Sequence, residues 1–205
     1  ALLAMLLTIP RLLHVKVAKQ SRFVFPHGIV LLLGLLAAIA FLVEGAVLDW
    51  GALLIIERQL TTPQSAGVGY ILFSAAMVIA RLTGDHIVAA LGELWVLILG
   101  GIITILGIAT TLVANLPLVA LGGFVLIGLG SANLVPIFFS AAGRQALMPA
   151  SLAIASVTTI AYAGVLVGPA MIGFAADLMS LPMAFWLLAL LIACVPFTAF
   201  LVTKH

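Results

Sequence analysis

Glu44 and Asp49 stand in the phrase Phe41-Leu-Val-Glu44-Gly-Ala-Val-Leu-Asp49-Trp50, inside an apolar run from Gly28 to about Ile56. At ~1.5 Å per helical residue, Glu44 lies roughly 24 Å along that run, past the midplane of a hydrocarbon core ~30 Å thick. A carboxylate there is costly unless it faces a wet cavity, takes up a proton or finds a partner, so it is a functional candidate by default. Its charge state follows whether water reaches it, as a proton-coupling group requires. The bland alternative is an acid hydrogen-bonded to a neighbouring helix. Asp49, five residues on, is turned about 140° round the same helix and sits nearer the outer interface beside Trp50. Interfacial solvation and a cavity or gate role are both open to it. Asn133 and Pro136 are placed to kink their helix and present an amide to a cavity, or to bond a neighbouring helix. Tyr162, with Thr158 and Thr159, is a further candidate for the cavity wall, with packing as its alternative.

Enzyme chemistry finds little footing in the same chain. There is no His-Glu-x-x-His, no Gly-x-Ser-x-Gly and no Walker Gly-x-x-x-x-Gly-Lys-Ser/Thr, and the four histidines are scattered. A single cysteine, Cys194, provides neither a disulfide framework nor a Cys-based metal site, and no cofactor is expected. The net charge of +2 is far too small for a nucleic-acid binder.

These residues need elements to hold them, and composition selects the kind. The 205 residues are 65% hydrophobic and 7% charged, with a mean hydropathy of +1.42. No soluble domain of this length hides so much apolar surface with so few charges. Continuous rather than alternating apolar runs select membrane-spanning helices over a barrel. Six spans are expected, at about Gly28–Leu53, Ser65–Leu82, Trp95–Ala114, Leu118–Ala142, Ser151–Phe174 and Pro182–Val202, with a polar connector at Arg81–Glu93. Pro63, Pro117, Pro149 and Pro182 fall where helices begin, the position at which a missing N–H costs nothing.

Alternating the sides puts Arg11, Lys16, Lys19, Arg22, Arg81, Arg144 and Lys204 together and leaves only Arg58 opposite. The positive-inside rule then places both ends of the chain in the cytoplasm. Residues 1–10 are apolar, lack an initiator Met and read as the close of a preceding span. Residues 11–27 read as a basic cytoplasmic linker, and 28–205 as a six-helix bundle within a larger protein. Trp50, Trp95 and Trp186 lie near span ends, as belt aromatics do. Glu44 in span one and Asn133 in span four each lie about 15 residues from their helix starts, as inverted three-plus-three repeats would place them.

At Arg81-Leu-Thr-Gly84-Asp85-His86 the chain resembles the major facilitator superfamily, whose loop signature Gly-x-x-x-Asp-Arg-x-Gly follows the second helix and recurs, degraded, after the eighth. Asp85 matches; Arg81 stands at the first Gly position and His86 at the Arg position. Gly164-x-x-x-Gly168-Pro169-x-x-x-Gly173 is similar to the Gly-Pro pattern of that superfamily's fifth and eleventh helices. Together with Glu44-Gly-Ala-Val-Leu-Asp49-Trp50, these phrases resemble bacterial YbjJ-type members, relatives of the fucose permease group. The resemblance implies an all-α fold, with the chain as helices seven to twelve and an N-terminal six-helix half as its partner. It implies secondary transport of a small-molecule substrate across the lipid bilayer by alternating access. Glu44, Asp49, Asn133 and Tyr162 would then line the substrate and proton pathway, and Arg81, Asp85, Gly168 and Pro169 would govern conformation. A membrane scaffold or sensor of the same fold is the alternative.

Overall fold

In the computed structural model, which describes residues 25–204, the described chain is helical throughout and contains no strand. The expected span end at 1–10 and the basic residues Arg11, Lys16, Lys19 and Arg22 lie outside the described residues. The helices are α1 (Ile29–Glu57), α2 (Val68–Leu82), α3 (Gly84–Leu91), α4 (Glu93–Val113), α5 (Pro117–Ser131), α6 (Leu134–Arg144), α7 (Ala150–Leu178), α8 (Leu181–Ile192) and α9 (Cys194–Thr203). Five stretches are long and apolar enough to cross a bilayer: Ile29–Glu57, Glu93–Val113, Pro117–Arg144, Ala150–Leu178 and Leu181–Thr203. α2 and α3 qualify only as a pair, bent by 59°, and counting that pair brings the spans to six.

The breaks have chemical causes. Proline has no N–H to give the carbonyl four residues back. Pro136 therefore frees the Ala132 carbonyl, and span four breaks between α5 and α6 at that level. Pro196 does the same for Ile192, where α8 ends. At the α2–α3 bend the Thr83 hydroxyl donates to the Ile79 carbonyl at 3.0 Å, a back-bond that bends helices, and Gly84 follows it. The stretch expected as a polar connector is thus mostly helix. Arg81 and Asp85 flank the bend between α2 and α3. The physical reason is that Ile87, Val88 and Leu91 continue an apolar face past the charges.

α1 also outruns the expected end at Leu53, reaching Glu57. It stops in a Schellman arrangement, with Gln59 N–H donating to Ile56 O at 2.8 Å and Leu60 N–H to Ile55 O at 3.0 Å. Gln59 takes φ 56° to do so. Nearby, Arg58 donates from Nη1 to Thr111 O and from Nη2 to Ala114 O, satisfying the carbonyl end of α4.

Two seams of small residues hold the bundle. α4 and α5 run antiparallel with Gly100 against Gly130 and Gly107 against Gly123. A Cβ on Gly130 would lie 2.6 Å from Gly100 O, and one on Gly107 would lie 2.8 Å from Gly123 O. Such backbone-to-backbone approach is how apolar helices associate where lipid removes the hydrophobic drive. α1 and α7 run parallel, Gly164 lying against Ala38, Gly168 against Leu42 and Gly173 against Trp50. The glycines flanking Pro169 are therefore a packing surface.

Candidate functional site

Glu44 sits near the middle of the 29-residue α1. Its two carboxylate oxygens accept from Arg81 Nη2 at 3.0 and 3.2 Å. Arg81 Nε donates to Ala132 O at 3.2 Å, the carbonyl that Pro136 strips of its helical donor. One guanidinium thus joins α1, α2 and the broken span four. Its planar fork suits the task, since a lysine ammonium cannot hold a fixed carboxylate and a fixed carbonyl in one rigid geometry. The carboxylate end is the more sheltered, with side-chain exposures of 17% for Glu44 and 42% for Arg81.

The two helix breaks meet one another. Asn133 is buried and donates from Nδ2 to Ala80 O at 3.3 Å, just before the α2–α3 bend. Its Oδ1 would lie 2.3 Å from a Cβ on Gly84, so only glycine admits the amide there. Of the two openings that Asn133 had, the helix-to-helix bond is formed, and the side chain also borders a cavity. That cavity, about 380 Å³, is lined by Arg81, Asp85, Glu93 and Asn133 among others. A second, about 290 Å³, is lined by Glu44, Phe41, Tyr70, Ser74 and again Arg81. Arg81 stands between the two spaces.

The remaining candidates divide. Tyr162 is exposed and packs against Phe41, ring centroids 5.6 Å apart, so it reaches the Glu44 cavity through a wall residue. Thr158 and Thr159 spend their hydroxyls on Ile154 O and Ala155 O of their own helix. Asp49 is exposed and lines neither cavity. Asp85 lies in the first turn of α3, where the helix dipole favours a carboxylate, and Arg81 turns to Glu44 instead of to it. Trp50 buries its indole N–H without a partner among the described residues. Trp95 and Trp186 are exposed.

Sequence reasoning assigned no partner to Glu44 or to Arg144, which pairs with Glu93 at 2.5 Å. One signal for the first pairing was present. Pro136, four residues after Ala132, announces an unsatisfied carbonyl mid-span, and a cation is the natural group to meet it. Among the described residues no group of three or more His, Cys, Asp or Glu side chains is placed to hold a metal.

The chain has relatives among known proteins. It is 47% identical over 182 residues to an uncharacterized MFS-type transporter of Yersinia pestis, covering 89% of this chain and 47% of that protein. It is 38% identical over 173 residues to the uncharacterized transporter y4wD of Sinorhizobium fredii, covering 84% of this chain and 46% of the relative. It is 33% identical over 151 residues to the membrane protein MosC of Rhizobium meliloti, covering 74% and 37%. The chain therefore spans about half the length or less of the curated relatives it matches. No protein-family model matches it.

Proposed function

We infer that this chain belongs to the major facilitator superfamily and forms the C-terminal six-helix half of a secondary active transporter. The MFS-type name of the Yersinia pestis homologue supports the superfamily, and the phrases around Glu44 and Arg81 support a place near YbjJ-type relatives of fucose permease. The coverage of about half supports a second half that completes the cavity. Helix pairing supports the three-plus-three repeat. α1 lies parallel to α7, and α2 lies parallel to α5 with Gly69 against Phe124 and Gly128 against Phe73, so exchanging the triplets maps one pair onto the other. The Lys and Arg distribution supports cytoplasmic chain ends, and the bacterial sources of the relatives support a bacterial inner membrane.

The single observation that carries the mechanism is the Glu44–Arg81 pair, formed at the middle of α1, in the wall of a cavity and tied to a helix break. A proton taken up by Glu44 removes one side of that pair and changes what holds three helices together. That is the differential contact an alternating-access cycle needs between its two states. In proteoliposomes holding the full-length protein, Glu44→Gln is expected to abolish or uncouple pH-driven uptake at normal expression. Uptake that stays pH-dependent in this variant removes Glu44 from the mechanism. A full-length protein that moves no solute at all supports the scaffold or sensor reading instead.

A further inference from the structure

We propose that the solute is a small organic carboxylate, bound by Arg81 in exchange for Glu44. This rests on the transporter reading and names its substrate class. Both Glu44 oxygens accept from Arg81, so the ionised acid is already charge-paired and offers a cation little net charge. Nη1 of Arg81 donates to none of the described residues, and the side chain is 42% exposed and lines both cavities. The rest of the wall includes Phe41, Phe73 and Met77 with Tyr70 and Ser74, mostly apolar surface with a few polar groups, which suits the carbon skeleton of a small organic acid. Among the described residues Arg81 is the only basic group lining either cavity. The other titratable groups near the pair are Tyr70 from α2, Tyr162 from α7 beside Phe41, and Asp85 and Glu93 across the neighbouring cavity.

The exchange balances. A proton from water on the open side adds to a Glu44 oxygen, and the carboxylate bonds to Nη2 open. Arg81 keeps its charge and its Nε bond to Ala132 O. The carboxylate of the solute then accepts from Nη1 and Nη2 in the geometry guanidinium favours. One proton and one monoanion cross together, and on release Glu44 returns its proton to the far side and pairs again. Transport of a monocarboxylate is therefore electroneutral, driven by a pH difference and indifferent to membrane potential.

The test uses the purified full-length protein with lactate, benzoate and gluconate as anionic probes, glucose as the neutral one and ethanolamine as the cationic one. Thermal shift and calorimetry in mildly acidic and mildly alkaline buffer are expected to register the carboxylates alone, more tightly in acid. Glu44→Gln imitates the protonated acid, so it should bind carboxylates equally in both buffers. Its gain over wild type equals the reciprocal of the wild-type protonated fraction, about tenfold where that fraction is one-tenth. Arg81→Gln should lose binding, and Arg81→Lys, which keeps the charge, should retain a weakened form. Glucose or ethanolamine binding in place of the carboxylates overturns the assignment, as does a Glu44→Gln protein whose carboxylate affinity in the alkaline buffer matches wild type, or is nil in both buffers. Glu44-dependent, pH-driven uptake would survive either result, so the two readings fail separately.

Discussion

Alanine in place of Gly123 should destabilise the bundle, and alanine in place of its neighbour Gly122 should not. The two positions share a helix and differ by one step of about 100° round its axis. A Cβ on Gly123 would lie 2.2 Å from Thr111 Oγ1, 2.7 Å from Gly107 O and 2.7 Å from Thr111 N, so most of what it meets is backbone that cannot rotate away. A Cβ on Gly122 meets nothing within 4 Å. Alanine gains about 1 kcal/mol over glycine in a helix interior, a term common to both sites. Overpacking costs about 1–3 kcal/mol, and rigid backbone on the far side puts Gly123 at the upper end. Gly123→Ala should thus lose about 2 kcal/mol net while Gly122→Ala gains up to about 1, a spread of about 3 kcal/mol between adjacent residues. Thermal unfolding of the detergent-solubilised full-length protein reads the difference, with Gly123→Ala melting several degrees lower. Equal melting temperatures for the two variants would refute the seam between α4 and α5 as the place where these helices touch.

At the end of α1, Gln59→Gly should raise stability by about 1 kcal/mol, because glycine adopts the left-handed conformation without the Cβ penalty; chemical denaturation reads the gain. Arg58→Ala should cost about 1–3 kcal/mol, since two carbonyls of α4 lose their donors, and accelerated hydrogen exchange at the end of α4 would register it. Gly84→Ala drives a methyl into the Asn133 amide and should break its bond to Ala80 O. Transport should fall further than stability in that variant, as comparison of uptake with melting temperature would reveal. For the pair itself, a double-mutant cycle over Glu44→Gln and Arg81→Gln should give a coupling of no more than about 1 kcal/mol, as Arg81 is 42% exposed. Its contribution is to coupling between states, and the cycle repeated on initial uptake rates should show far larger non-additivity.

Much of this molecule is written in its periodicity. Continuous apolar runs with charges confined to their ends demand helices that cross a bilayer, and the spans at Trp95–Ala114 and Ser151–Phe174 lie within a few residues of α4 and α7. The cost of an acid in hydrocarbon singled out Glu44 before any neighbour was in view. Its partner was hidden by local reasoning. Arg81 reads as the end of a helix because a charge followed by Thr-Gly-Asp looks like a loop, and only the packing of α2 beside α1 brings it to Glu44. The glycine seams were equally out of reach. Gly100, Gly107, Gly123 and Gly130 are merely frequent small residues until two helices are laid antiparallel, when each proves to face another's carbonyl. What a residue costs to bury is a property of the residue, so sequence determines it. What it touches depends on which helices lie together, and that is settled by packing across stretches far apart in the chain.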